Sequence, residues 1–120
     1  MNRWVLLEHK IFSSKLIDIH YDFLIEDLLE CFTWKLHKIP LLNEGFVKIG
    51  KQPNHRLVWL SRVEYQLSNN RGSVKRIDYG TFSCISHNQD SQELKVLLDG
   101  KLLKGLLIIS GNFCQLTKNN

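Results

Sequence analysis

Apolar and polar residues alternate along most of this chain in short runs, a pattern typical of half-buried β-strands. The runs are rich in β-branched and aromatic residues, and turn-forming residues separate them. They predict eight strands: Arg3–His9, His20–Glu26, Glu30–His37, His55–Val63, Tyr79–Ser86, Glu93–Leu98, Leu102–Ser110 and Phe113–Lys118. Asp27 with Leu28 joins the second and third runs at a hairpin-like distance, and Gly100 with Lys101 joins the sixth and seventh.

Three segments between these runs are not predicted to be strands. Asn43–Asn54, which contains two glycines and Pro53, and Ser68–Ser73 have the composition of loops. Ile11–Ile19 has apolar residues at mixed spacing and is predicted to form an irregular loop or a short helix. Strands this numerous would leave costly open edges unless the sheet curls on itself. We therefore predict an all-β fold, a small closed or nearly closed β-barrel of about eight strands with at most one or two short helices. A two-sheet sandwich is the alternative.

Length and composition predict a single domain over residues 1–120, because 120 residues with 43% hydrophobic content suffice for one core and not for two. The net charge of +4 comes from 16 basic residues spread along the chain. Such a distribution suggests an anionic partner but is equally typical of a solvated basic surface.

The cysteines and the apolar runs bear on the cellular compartment. Cys31, Cys84 and Cys114 are odd in number, far apart and without CxxC spacing, so they predict neither a disulfide framework nor a structural zinc site. No uncharged run approaches the ~18 residues of a membrane-spanning helix. The expectation is a soluble protein of the reducing cytoplasm that does not contact a membrane.

The stretch "IHYDFLIE", residues 19–26, places an imidazole and a carboxylate on one side of a predicted strand. Residues i and i+2 of a strand project the same way with Cα atoms roughly 6.5 Å apart, so His20 and Asp22 can converge on one ion. Imidazole with carboxylate suits a divalent transition metal. His9 would complete the set if the first strand pairs near the second. The alternative is that these are hydrogen-bonded surface groups with no ligand.

Six short motifs occur in the order and rough spacing of a known family. They are "EH" at 8–9, "HYDFLIED" at 20–27, "TWKLHKIP" at 33–40, "HRLVW" at 55–59, "DYG" at 78–80 and "LDGKLLKGLLII" at 98–109. On these motifs nearly the whole chain resembles the 3′-phosphoesterase domain of bacterial DNA ligase D. The resemblance implies a compact β-barrel that uses a manganese-type ion to remove 3′-phosphates and 3′-terminal ribonucleotides during DNA end repair.

Carried over position by position, the resemblance implies that His9, His20 and Asp22 are the metal ligands. Manganese is the ion it implies, with zinc or another transition metal as the alternative. Glu8 stands where the family has a glutamine and is expected to orient an imidazole from the second shell.

The resemblance also implies three residues of the catalytic shell. Lys38 and Arg56 match phosphate-binding cations, which are needed because the charge on the non-bridging oxygens must be neutralised before water attacks. Tyr65 matches a tyrosine beyond the strand that contains Arg56. The alternative for Lys38 and Arg56 is ordinary surface charge.

Two departures from the family pattern fall in the catalytic shell. Leu24 stands where the family has an arginine on the same strand face as the metal ligands, and Ser61 stands where it has a histidine. His37 or His55 could substitute for that histidine.

Three functions therefore compete. The first is an active metal-dependent phosphoesterase, acting on monoesters or diesters at the 3′ ends of DNA or of DNA with terminal ribonucleotides, with a ligase or polymerase supplied in trans. The second is a diverged barrel that binds metal or nucleic acid without turnover. The third is a structural module that contacts an acidic protein. The sequence predicts the first and leaves open which ion and which nucleic acid are used, and the oligomeric state.

Overall fold

Strands account for most of the computed structural model, which describes residues 2–13, 15–68 and 71–119. Its regular structure, besides one 3₁₀ turn at Leu57–Leu60, is nine strands: β1 (Arg3–Phe12), β2 (Ile17–Glu26), β3 (Glu30–Leu36), β4 (Val47–Arg56), β5 (Glu64–Gln66), β6 (Ser73–Asn88), β7 (Glu93–Asp99), β8 (Lys104–Ser110) and β9 (Phe113–Thr117). None of the helical segments in these described ranges has the length and hydrophobicity needed to cross a bilayer.

Eight of the strands form a ring of antiparallel pairs in the order β1-β2-β3-β4-β9-β8-β7-β6. Pairing of β1 with β6, from Arg3 opposite Thr81 to Lys10 opposite Ser73, closes the ring. The short strand β5 adds to the other edge of β6. The predicted all-β fold of about eight strands in a closed or nearly closed sheet is therefore confirmed.

The weakest seam of the ring lies between β4 and β9. These strands pair over only Val47 with Cys114 and Lys48 with Phe113. Beyond Lys48 the outer edge of β4 has no strand partner among the described residues, so β4 is an edge strand over most of its length.

Side chains of the ring divide between two apolar clusters because successive residues of a strand point to opposite faces. In β1 the four residues of "WVLL" are all buried, so both faces of the sheet are covered at this point. The inner core consists of Trp4, Leu6, Phe23, Ile25, Trp34, Leu36, Val47, Ile49, Leu94, Val96, Leu98, Leu103, Leu107, Ile109, Cys114 and Leu116. The outer cluster consists of Val5, Leu7, Leu24, Cys31, Leu60 and Val74.

A buried carboxylate fixes one end of the inner core. Asp78 faces the same side as Leu6, its partner on β1, and is 3% exposed. Its oxygens accept hydrogen bonds from the backbone N–H groups of Tyr79 at 2.9 Å, Lys101 at 3.0 Å, and Leu102 and Leu103 at 2.8 Å each. The carboxylate thereby holds the connection between β7 and β8 in place.

Two predictions between residues 43 and 63 were wrong. Much of the predicted loop Asn43–Asn54 belongs to β4, and the predicted strand His55–Val63 is mainly the 3₁₀ turn. Glycine and proline suggested a loop, yet Pro53 lies at a register shift on the free edge of β4, where its missing N–H breaks no ladder.

The predicted loop or short helix at Ile11–Ile19 is instead the end of a long hairpin. Lys10 pairs with Ile19 and Phe12 with Ile17, so both strands run past the point where the polar residues suggested a break. Ser14 lies outside the described residues, as do Asn69 and Asn70 in the predicted loop Ser68–Ser73. Cys31, Cys84 and Cys114 are free.

Candidate metal centre

The β1–β2 hairpin brings together the three predicted metal ligands. His9 lies directly opposite His20 in the register, and Asp22 follows two residues further along β2, opposite Leu7. All three side chains therefore project from the face that carries the outer cluster. One ligand atom from each residue lies within 4.8 Å of the others.

The imidazoles of the two histidines are in direct contact. His9 Nδ1 lies 3.0 Å from His20 Nε2, and the rings meet edge to face at 4.5 Å between centroids. His9 Nε2 donates to the backbone carbonyl of Arg71 at 2.9 Å, because a carbonyl can only accept. This bond leaves Nδ1 of a neutral His9 with a lone pair directed at its neighbour.

Gly72 makes this orientation of His9 possible. It adopts a φ of +93°, and a Cβ at this position would collide with the carbonyl oxygen of Lys10. Only glycine allows the chain to pass this close to β1 while presenting the Arg71 carbonyl to the imidazole.

His20 is held as a neutral imidazole. Burial lowers its pKa, an effect that the nearby Asp22 carboxylate only partly opposes. Its Nδ1 is buried without a hydrogen-bond partner among the described residues. A neutral ring is the form that binds metal ions.

Asp22 is the loosest member of the set. Its Oδ1 lies 3.7 Å from His20 Nε2, beyond hydrogen-bond distance, although only 14% of its side chain is exposed. Burial raises the pKa of Asp22, and the neighbouring imidazoles and Lys35 oppose this effect only in part. The carboxylate is therefore largely desolvated, and it forms none of the hydrogen bonds with other described residues that normally offset burial.

A cleft of about 210 Å³ opens beside the three ligands. His9 and Asp22 form part of its wall, together with His55, Trp59 and Arg71, and apolar side chains around the outer cluster complete it. The candidate centre is therefore accessible to a small ligand from one side.

The donor set fits a divalent transition metal. Two imidazole nitrogens and a carboxylate oxygen are the ligands that manganese, iron or zinc accepts. Ligands bound at ~2.1 Å and at right angles are roughly 3.0 Å apart, which matches the separation of the histidine nitrogens. The bond from His9 to the Arg71 carbonyl is the outer-shell contact that metal-binding histidines usually make.

The predicted phosphate-binding cations do not meet at this centre. Arg56 is exposed and lies opposite Glu30 at the start of β3. Lys38 is also exposed and follows the end of β3 at Leu36. At ~3.3 Å per strand residue the two cations are roughly 25 Å apart along β3, which is too far to hold one phosphate between them.

Three other positions differ from the predicted arrangement. Glu8 precedes His9 on β1, so the two side chains point to opposite faces of the sheet. The carboxylate of Glu8 pairs with Lys10 at 3.5 Å and not with an imidazole. Tyr65 lies on β5 and packs edge to face against Trp59 at 5.3 Å between centroids. Leu24 shares the face of His20 and Asp22 as predicted but is fully buried in the outer cluster.

Two residues adjoin the ligands that sequence reasoning either missed or left open. Lys35 lies directly opposite Asp22 on β3, where paired Cβ atoms are ~5 Å apart. His55, one of two suggested substitutes for the family's histidine, lines the cleft. Its Nδ1 donates to the Pro53 carbonyl at 3.1 Å, so Nε2 is the ring nitrogen that does not take part in this contact. Successive residues of a strand point to opposite faces, and this alternation along β3 is the feature of the sequence that could have identified Lys35.

In comparisons with known proteins, no family model and no curated protein sequence matches this chain. The resemblance to the ligase D phosphoesterase domain therefore rests on the motifs quoted above and stays a prediction.

Proposed function

We propose that this chain is a metal-dependent phosphoesterase that acts on the 3′ ends of nucleic acid. The single observation that carries the proposal is the cluster of His9, His20 and Asp22 at the wall of an open cleft, with the two imidazoles 3.0 Å apart. The substrate class comes from the family resemblance. The reaction would be attack of water on a 3′-phosphate, with cleavage of the bond to the 3′-oxygen and release of phosphate and a 3′-hydroxyl.

A half-buried polar cluster of this kind costs free energy when it binds nothing. His20 has a buried Nδ1 without a hydrogen-bond partner among the described residues, and Asp22 is largely desolvated. The cost at Asp22 is offset if the cluster binds a cation, because an ion neutralises the carboxylate. A bound divalent ion would polarise the phosphoryl oxygen and lower the pKa of water.

The chain's own residues supply the rest of the site. Lys35, opposite Asp22 on β3, would neutralise a phosphate oxygen in place of Lys38 or Arg56. His55 lines the cleft and would take a proton from the attacking water or a substrate hydroxyl at Nε2. Trp59 and the apolar wall would exclude bulk water.

A second candidate function is binding without turnover. The observation that favours it is the position of Leu24, whose burial leaves no room for the arginine of the family pattern. In this account the centre binds metal and nucleic acid, and Lys35 and His55 contribute affinity alone.

Metal binding is tested by thermal unfolding with and without Mn²⁺ or Zn²⁺. An ion that binds only the folded state raises the Tm by mass action. We expect a rise for the wild type and none for the double variant His20→Ala with Asp22→Ala. His87→Ala is the matched control, because His87 lines a separate pocket with Phe32 and Trp34 and should leave the rise unchanged. An equal rise in the double variant would remove the proposed centre.

Turnover is tested by release of phosphate from a 3′-phosphorylated primer in the presence of Mn²⁺. We expect Lys35→Ala to reduce kcat about 10- to 100-fold, because it removes one charge-assisted contact made in the transition state. Lys38→Ala is the control and should have little effect. Metal-dependent stabilisation without any phosphate release would favour the binding-only candidate.

A further inference from the structure

Arg62 packs in the corner formed by two aromatic rings beside the cleft. Its guanidinium carbon lies 4.3 Å from the ring centroid of Trp59 and 3.9 Å from that of Tyr65. The two rings meet edge to face at 5.3 Å. These three residues, called the Arg62 clamp below, fix the position of a side chain that is otherwise flexible.

Among the described residues, no acidic side chain neutralises the charge of Arg62. No carboxylate of the described residues forms an ion pair with it, whereas Arg3 is paired with Glu26. The two rings are inclined at 77° to one another, so the planar guanidinium can lie flat on at most one of them, and its N–H groups that are not directed at a ring can donate to an oxyanion. Arg62 is only partly buried and reaches the surface. An arginine in this state is suited to bind a phosphate.

The position of the clamp relates it to the candidate metal centre. Trp59 belongs to both the clamp and the cleft wall. Tyr65 lies opposite Val74, which in turn lies opposite His9, so the clamp begins two strands away from the metal ligands. Two strand spacings are roughly 10 Å, which is too far for contact with the same phosphate but within reach of a neighbouring one.

We propose that the Arg62 clamp binds the phosphodiester adjoining the terminal nucleotide of a single-stranded nucleic-acid end. The inference rests on the proposed nucleic-acid substrate and restricts the class of molecules that can be that substrate. The substrate is a chain with at least one internal phosphodiester, and free nucleotides or small phosphoesters lack the group that the clamp holds.

The test is a binding measurement without metal, so that nothing is turned over and the metal centre plays no part. The probes are a short single-stranded DNA with a 3′-phosphate and the same DNA with an uncharged methylphosphonate at the linkage adjoining the terminal nucleotide. We expect the uncharged linkage to weaken wild-type binding about tenfold, the loss of one charge-assisted hydrogen bond. Arg62→Ala should weaken binding of the charged DNA by the same factor.

The loss of affinity from the uncharged linkage and the loss from Arg62→Ala should not add. In Arg62→Ala the charged and the uncharged DNA should bind equally well, and the slope of log affinity against log salt should fall by about 0.7, the value for one phosphate contact on a single strand. Arg56→Ala also removes an exposed arginine and should leave the difference between the two DNAs intact. Arg62→Gln serves as a second variant that keeps a planar side chain against the rings.

Two results would overturn the inference. One is a wild type that binds both DNAs equally, which decides the matter even if both Arg62 variants fail to fold. The other is an Arg62→Ala protein that still discriminates between them. Because metal is absent, either result leaves the Tm test of the metal centre unaffected, so failure of the clamp and failure of the proposed function are distinguishable.

Discussion

Two aspartates of this protein are largely removed from solvent, and they differ in what surrounds them. Asp78 is 3% exposed and accepts four backbone hydrogen bonds. Asp22, with 14% of its side chain exposed, lies 3.7 Å from the imidazole of His20 and forms no hydrogen bond with the other described residues. The carboxylate of Asp78 is satisfied by its own chain and organises a loop. That of Asp22 is largely desolvated, and this difference is expected if Asp22 binds a ligand.

The largest expected effect concerns Asp78. Asp78→Ala leaves buried N–H groups unsatisfied and should lower the free energy of unfolding by at least about 4 kcal/mol, because hydrogen bonds to a charged group contribute ~1.5–3 kcal/mol each and are not fully additive. Asp22→Ala should change the free energy of unfolding by less than about 1 kcal/mol in the absence of metal. Urea denaturation of both variants measures the difference. Equal destabilisation would show that Asp22 is also structural.

The next effect concerns Leu24, which lies on the same face of β2 as Asp22 but at its apolar end. Leu24→Arg buries an unpaired guanidinium in the outer cluster and should cost about 3–5 kcal/mol. We expect a poorly folded protein with no gain in phosphoesterase activity. Leu24→Met, which conserves volume, should cost less than about 1.5 kcal/mol. A well-folded and more active Leu24→Arg protein would place this residue in the catalytic site instead.

A smaller effect concerns a half-buried acid on the same strand, Glu26. Glu26 forms a two-pronged ion pair with Arg3 at 2.8 and 3.0 Å, and this hydrogen-bonded partner lowers the pKa of the Glu26 carboxyl. Arg3→Ala should cost less than about 1 kcal/mol at neutral pH. Because the pKa of Glu26 is lowered, the ion pair stabilises the folded protein at pH values above the ordinary pKa of 4.5. This stabilisation is lost as the pH falls through the pKa of Glu26 in the folded state.

The control for this prediction is Lys104→Ala. Its partner Asp99 lies at 3.7 Å, and both side chains are 75% exposed, so no measurable change is expected. Chemical denaturation in low and high salt separates the two cases, since only the Arg3 variant should lose a salt-sensitive contribution.

The smallest effect is the pH dependence of Asp22 itself. Burial raises the folded pKa of this carboxyl above its ordinary value of 3.8, so its unfavourable contribution appears as the pH rises through the folded value. In metal-free protein, Asp22→Asn should therefore gain stability relative to the wild type from about pH 4 to about pH 7. Denaturation curves at the two pH values measure this gain. A relative loss would mean that the ionised carboxylate is stabilised in the folded state.

The strands were predictable from the sequence where their pattern is local. In β2 and β3, polar residues face one side and large apolar residues the other, and the turn at Asp27 separates them cleanly. Gly50 and Pro53 instead suggested a loop, because a sequence does not show that β4 has a free edge on which both residues are tolerated.

The clustering of His9, His20 and Asp22 was predictable for the same local reason, and the surroundings of the cluster were not. The spacing of His20 and Asp22 follows from the geometry of one strand. The choice of Lys35 over Lys38 depends on the register of β2 with β3, and the burial of Leu24 depends on a 3₁₀ turn that was predicted to be a strand. Both are consequences of tertiary structure.

Closure of the ring by β1 and β6 has a consequence for the order of folding. The contact between His9 and His20 spans 11 residues of chain, whereas the bond from His9 to the Arg71 carbonyl spans 62. Closing the longer loop carries the larger entropic cost, so pairing of β1 with β6 is expected late in folding. An early hairpin would hold all three donors without the carbonyl that orients His9. In folding experiments, high-affinity metal capture should therefore coincide with ring closure, later than formation of the hairpin.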